Sequence, residues 1–318
     1  MENETPRKNL LASYEDALKR THQDRILSGQ SFVKKLFHYA RFHPVFVIKK
    51  TIQAILSFLG VHPSFRHTLW YGETWLTHHC RADYCVCGFL SDDHEVALTK
   101  FLLKNLTKSD IFFDVGANYG FFSLIVAKMF DTKEESHIHA FEPTHQTAAL
   151  LKKNLFGRGT INECALGSRA GEASFFVFND ISINGSNSLY GTLAQQEMEH
   201  DVGKKKGITQ TKVSIDTIDN YCQKNNITPT FIKIDVEGAE NDVVLGGAQT
   251  FLKHHPVIVM EMWPAPNNKN HIAAAQELLS IGYFPYAITQ DGEQGEKIDT
   301  KNLYALKNID NIIFAHNS

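Results

Sequence analysis

The chain has 318 residues, 43% hydrophobic and 21% charged, which supplies one sizeable core plus an appendage and excludes a disordered chain. Its formal net charge of -3 leaves no whole-chain footprint for nucleic acid. Five cysteines, an odd number, and an acidic, polar start (Met1-Glu2-Asn3-Glu4) argue against a disulfide framework and a secretory signal, so a cytoplasmic setting is expected.

Residues 8 to 60 read as helices joined by short breaks. No acidic residue stands between Arg25 and Trp70, against Lys34, Lys35, Arg41, Lys49, Lys50 and Arg66. Val45, Ile48, Ile52, Ile55, Leu56 and Leu59 recur at helical spacing, with Lys49 and Lys50 elsewhere on the wheel. Such a basic amphipathic segment either packs its stripe on the main domain or lies on an anionic membrane as a peripheral contact through residues 25–60. No run reaches the roughly 18 apolar residues needed to span a bilayer. A strand pair is expected around residues 69 to 90. The cluster His78-His79-Cys80 with Cys85-Val86-Cys87 lacks a second pair of ligands at zinc spacing, so no metal site is predicted there. The organisation expected is an N-terminal helical extension over 1–68 and a main domain over 69–318.

From there the pattern alternates. Ile111 to Val115, His137 to Phe141, Thr160 to Ala165, Thr230 to Ile234 and Pro256 to Met260 read as strands. Helices are expected near 119–129, 145–155 and, as one piece, 240–253. This alternation predicts a parallel sheet covered by helices on both faces, with ligands bound beyond the carboxyl ends of the strands. A helix near 272–279 and strands at 283–288 and 311–315 close the chain, the last one returning antiparallel.

Chemistry concentrates at three strand ends. The first runs Asp114-Val115-Gly116-Ala117-Asn118-Tyr119-Gly120, where glycines let backbone approach a ligand that also meets the free N–H groups of the next helix. Its glycines are four apart, unlike the dinucleotide fingerprint, which disfavours an NAD-dependent oxidoreductase. The second strand ends in Phe141-Glu142-Pro143, an acid placed to accept both hydroxyls of a ribose. The third run is Phe231-Ile232-Lys233-Ile234-Asp235-Val236-Glu237-Gly238-Ala239-Glu240. Charges written into a buried strand cost several kcal/mol unless they are paired, bound or reacting. If the strand stays extended, Lys233, Asp235 and Glu237 project together.

In this order and spacing the three motifs resemble the FkbM-type family of S-adenosylmethionine-dependent methyltransferases. Asp216-Thr217-Ile218-Asp219, Val244-Leu245-Gly246-Gly247-Ala248 and Glu261 agree with it, and the match covers roughly Val96 to Trp263. The resemblance implies an α/β, class I methyltransferase (Rossmann-like) fold, a seven-stranded, mostly parallel sheet with an antiparallel terminal hairpin. It also implies methyl transfer, usually to a hydroxyl of a sugar, glycan or other natural product. The cofactor contacts expected are Asp114, Gly116, Ala117, Asn118, Gly120, Glu142, Pro143, Cys164 and Ala165. Lys233, Asp235, Glu237 and Glu261 are the catalytic candidates, and Asn187, Ser188 and Trp263 the candidate acceptor contacts. Three roles stay open for the charged run: Asp235 as base, Asp235 and Glu261 as oxygen ligands of a divalent metal, or Lys233, Asp235 and Glu237 as a structural ion-pair network. A non-catalytic nucleoside-binding or membrane-docked adaptor is the other class of function.

Overall fold

The structure, a computed structural model, describes residues 4–28, 48, 51–52, 55–56, 64–77, 93–131, 137–178, 208–263, 269–307 and 310–316. Asn187, Ser188, the rest of the polar stretch from 182 to 207 and the His/Cys cluster at 78–87 lie outside them.

Helix α1 (Glu4–Ser28) turns Leu10, Tyr14 and Ala17 inward, and Leu10 and Tyr14 join the same apolar cluster as the main domain. A short antiparallel hairpin follows, β1 (Phe65–Thr68) and β2 (Thr74–Thr77), closed by hydrogen bonds between Leu69 and both Gly72 and Glu73. Residues 69 to 73 form its turn, with Gly72 at φ +89°; of the strand pair expected around 69 to 90, residues 78 to 90 lie outside the described residues. Ile48, Ile52 and Ile55 belong to helical residues and are exposed, 58%, 44% and 55%, instead of packing on the domain.

The main domain runs α2 (Asp93–Asn105), β3 (Phe112–Val115), α3 (Phe121–Phe130), β4 (Ile138–Phe141), α4 (His145–Leu155) and β5 (Thr160–Asn162). Then come β6 (Ala165–Leu166), β7 (Gly171–Phe178), β8 (Ile208–Asp216), α5 (Ile218–Asn225), β9 (Phe231–Ile234), α6 (Glu240–Gly246), α7 (Ala248–His254) and β10 (Val257–Met262). The last elements are α8 (Lys269–Ser280), β11 (Tyr283–Ile288), β12 (Gln294–Lys297), α9 (Thr300–Tyr304) and β13 (Asp310–His316). The central sheet has the order β12-β11-β13-β10-β9-β3-β4-β5. Its β10, β9, β3, β4 and β5 are mutually parallel, and β13 is antiparallel to both β10 and β11.

Helices on both faces explain why β3, β4 and β9 bury every residue. Alternate residues feed two cores: Phe112, Ile138 and Phe231 point to one, Phe113, Phe141, Ile232 and Ile234 to the other.

Seven strands of this sheet are the seven read from the sequence. The eighth, β12, is an added edge strand of polar residues, a composition that discourages further pairing. Two expectations fail. Thr160 to Ala165 is not one strand: the chain leaves the sheet after Asn162, and Ala165–Leu166 pairs with β8 in a separate β6-β8-β7 sheet. The helix expected over 240–253 breaks at Gly247, the second of two adjacent glycines, which are poor helix formers; Gly246 lies against Gly167 so closely that a Cβ would stand 2.0 Å from its carbonyl oxygen.

Candidate active site

The carboxyl ends of β3, β4 and β9 meet around a cavity of about 670 Å³, its open mouth included. Val115, Gly116, Asn118, Phe141, Glu142, Pro143, Cys164, Ala165, Leu166, Phe175, Asp235, Val236 and Glu237 line it. Six of the residues expected to contact a cofactor are therefore on its wall, and Asp114, Ala117 and Gly120 stand behind it.

Their positions behind the wall have local reasons. Asp114 is fully buried; its Oδ2 accepts hydrogen bonds from the Ser123 backbone N–H (3.1 Å) and hydroxyl (2.6 Å), which pins the first turn of α3 to the end of β3. Gly116 (φ +77°) passes so close to β9 that a Cβ would stand 1.8 Å from the Asp235 carbonyl oxygen. Gly120 (φ +82°) caps α3 against Leu151, where a Cβ would stand 2.4 Å from Cδ1. Gly116 and Ala117 both donate their backbone N–H to the Phe141 carbonyl, at 3.1 and 3.0 Å, coupling this loop to the end of β4.

Glu142 is buried at the cavity edge, accepting from the backbone N–H of Asn118 (3.2 Å) and of Thr144 (2.9 Å). Burial pushes its carboxyl above the ordinary range, against those N–H groups, which favour the charged form. Cys164 lies beyond β5, its thiol pushed up to about 12 by burial and by Asp216, so it is an apolar wall and no nucleophile. Phe175 was missed by the sequence reading although it closes the same wall. Part of the signal was there, since Glu172-Ala173-Ser174-Phe175 alternates as Lys212-Val213-Ser214-Ile215 does, before the apolar run from Phe176 to Phe178 hides the period.

The charged run divides into parts. Lys233 is 2% exposed, with its Nζ 3.1 Å from Asp235 Oδ2, 3.5 Å from Asp114 Oδ1 and 3.4 Å from the Gly116 carbonyl oxygen. Burial opposes its charge, but the Asp235 and Asp114 carboxylates outweigh burial and hold it as ammonium above its usual titration range. The shared face expected for Lys233, Asp235 and Glu237 stops at Asp235. The strand ends at Ile234, and Glu237 turns into the left-handed region at φ +55°, followed by Gly238 at φ +102°. Glu240 opens the next helix, is fully buried and folds back, its Oε1 accepting from the N–H of Val236 (3.3 Å) and Gly238 (3.1 Å). Asn270 donates to the Gly238 carbonyl at 2.6 Å, and His271 Nε2 lies 3.3 Å from Glu240 Oε2.

This turn gathers carboxyls. Burial first, then Asp235 and Glu240, push Glu237 up to about 8; burial pushes Glu240 up to about 7 against its N–H donors. Glu261 on β10 is raised well above the carboxylate range by burial and by Asp235 and Glu237. Its Oε2 accepts from Trp263 Nε1 at 2.6 Å, and that indole stacks on His271, which burial keeps neutral down to about pH 4. Among the described residues no three His, Cys, Asp or Glu side chains are arranged to hold a metal ion.

A sheet of this order, with a cavity at the ends of its first, second and fourth strands and an acid closing the second, is the class I methyltransferase architecture. The family described as Methyltransferase FkbM domain matches residues 114–285, more than half of the chain, and the protein belongs to it. A 2-O-methyltransferase, NoeI of Sinorhizobium fredii (strain NBRC 101917 / NGR234), is 26% identical over 161 residues, which are 48% of this chain and 63% of that protein. The chain thus spans less than two thirds of this relative's length. Among solved structures, methyltransferase FkbM from Methylobacillus flagellatus KT is 16% identical with a TM-score of 0.41, covering 70% of this chain and 48% of that one. An O-methyltransferase from Bacillus cereus in complex with SAH is 10% identical with a TM-score of 0.36, covering 71% of this chain and 81% of the other. Family and fold point to S-adenosylmethionine as cofactor.

Proposed function

We propose that the protein is an S-adenosylmethionine-dependent O-methyltransferase acting on a hydroxyl of a sugar, glycan or other small natural product. The cavity fits the cofactor: Glu142 offers a buried carboxyl to ribose hydroxyls, Leu166, Phe175 and Cys164 offer apolar walls to a base, and the Gly116–Asn118 turn gives close backbone approach. When bound, the cofactor supplies an electrophilic methyl group. The name of the NoeI relative supports oxygen as acceptor.

The observation that carries the reading is the division of labour among the strand-end acids. Asp235 is committed to Lys233, which also meets Asp114, so these three brace the floor and orient the loop. Glu237 lies on the cavity wall in a strained backbone conformation that persists only because Glu240 and Asn270 fix the turn. In this reading it takes the hydroxyl proton as the methyl transfers, a contribution of about 10²- to 10⁴-fold. Glu261, hydrogen-bonded to Trp263, lies outside the cavity lining but feels the Asp235 and Glu237 carboxyls, which supports an acceptor approaching from that side. Holding the two reactants in line supplies a further ~7 to 11 kcal/mol. Transfer of labelled methyl from S-adenosylmethionine to a panel of glycans and polyols tests this reading. Failure to bind either S-adenosylmethionine or S-adenosylhomocysteine in calorimetry overturns it in favour of an adaptor.

A second reading concerns the appendage. No helix among the described residues is long and apolar enough to cross a membrane. Yet Ile48, Ile52 and Ile55 are exposed at helical spacing within a stretch free of acidic residues, and this supports peripheral contact with an anionic bilayer from the cytoplasmic side.

A further inference from the structure

Tyr119 occupies the far end of the cofactor loop, just before Gly120 and the start of α3. Its carbonyl oxygen accepts two hydrogen bonds, from Trp75 Nε1 on β2 at 3.0 Å and from Asn154 Nδ2 on α4 at 2.7 Å. Asn154 ties the same point to the hairpin, since its Oδ1 accepts from the Leu76 N–H at 2.7 Å and its Nδ2 donates to the Leu76 carbonyl at 2.8 Å. Trp75 and Asn154 are 6% and 5% exposed, so both act where water does not compete. The Trp70 and Trp75 rings stand 6.1 and 5.6 Å from Phe121, the first residue of α3. The hairpin's turn has its own anchor, Glu73, paired with Arg158 at 2.8 Å and Lys128 at 3.7 Å.

We propose that the β1–β2 hairpin, outside the family-matched residues, is a working part of the cofactor site: Trp75 and Asn154 are positioning residues that hold the Ala117–Gly120 turn in its binding shape. The turn needs holding because left-handed residues flank Tyr119, Asn118 at φ +52° and Gly120 at φ +82°. Such conformations persist only where the surroundings over-determine them. A carbonyl pinned by two buried donors does so. Releasing one donor lets the turn visit other shapes, and affinity falls by the fraction of molecules no longer competent to bind.

The ligand named here rests on the methyltransferase reading, and the test separates the two. Trp75→Phe keeps the ring and removes the donor. By calorimetry its Kd for S-adenosylhomocysteine rises about five- to tenfold, the effect of one hydrogen bond, and KM for S-adenosylmethionine rises with it while kcat stays within about twofold. Asn154→Leu, a second route to the same release, moves affinity in the same direction. Glu73→Gln weakens a hairpin ion pair that does not touch the Tyr119 carbonyl and leaves both of its donors in place; it lowers the unfolding temperature and keeps the Kd within about twofold. Unchanged affinity in folded Trp75→Phe, or an equal loss in Glu73→Gln, overturns the proposal and makes the hairpin packing alone. No binding by the unaltered protein would instead sink the methyltransferase reading.

Discussion

Lys233 joins two strand ends through one ammonium, 3.5 Å from Asp114 and 3.1 Å from Asp235. Removing a partner from a buried pair leaves an uncompensated charge, so Lys233→Met is expected to cost about 3 to 5 kcal/mol, read as a lower denaturation midpoint. Glu237→Gln keeps the shape of the turn and removes the proton acceptor: turnover falls about 10²- to 10⁴-fold and S-adenosylhomocysteine affinity holds. Full activity in that variant places the base elsewhere. In the unaltered protein kcat/KM should climb with pH to a limb near the Glu237 value of about 8, and the limb should vanish with the variant. Stability runs the other way. Glu237 and Glu240 titrate near 8 and 7 in the fold against 4.5 when free, so the fold binds more protons than the unfolded chain and loses stability as pH rises through 7 and 8. His271, lowered to about 4, offsets one of those two protons below 6.5, so the decline is steepest just above 6.5 and levels off past about 8, which makes pH 6.5 to 8 the window to measure. Thermal melts across that window, flattened by Glu240→Gln, check the sign.

At the scale of elements, each connection past the central sheet does something for the cavity. The β6-β8-β7 sheet brings Phe175 over the wall, packed with Ala165 and Val213. Phe175→Ala should destabilise by about 3 kcal/mol and weaken S-adenosylhomocysteine binding severalfold, measured by melt and calorimetry on one sample. A melt-only effect would confine Phe175 to packing. Why β6 escaped the sequence reading is physical. A two-residue strand has too little length to show a period, and its partner β8 lies more than forty residues along the chain. The parallel strands were readable because burial on both faces writes continuous apolar runs such as Val257 to Met260.

At the scale of the molecule, the appendage is continuous with the domain. Leu10 and Tyr14 share a cluster with Leu98 and Trp75, and Tyr14 packs on Trp70 at 4.6 Å. Deleting the N-terminal segment would therefore strip core, and the membrane reading needs a gentler test. Ile48, Ile52 and Ile55 changed together to Ser should abolish flotation with vesicles rich in anionic lipid and leave methyl transfer and melting unchanged. Flotation that survives the triple change sinks the membrane reading.

The amino-acid sequence by itself determined the seven strands of the central sheet, the glycine loop, the acid after the second strand and the charged run after the fourth. Those signals are local: buried parallel strands repeat apolar residues, and a backbone that approaches a ligand selects glycine. Only the tertiary structure decided which charge does what. Lys233 and Asp114 are far apart in the chain and meet because β9 is hydrogen-bonded beside β3. That juxtaposition commits Asp235 to an ion pair, while Glu237, carried out of the strand at φ +55°, lies beside it on the cavity wall. The run that reads as one row of charges on a strand is, once folded, a buried ion pair and a separate carboxyl on the cavity wall, because pairing and burial depend on neighbours that spacing along the chain does not encode.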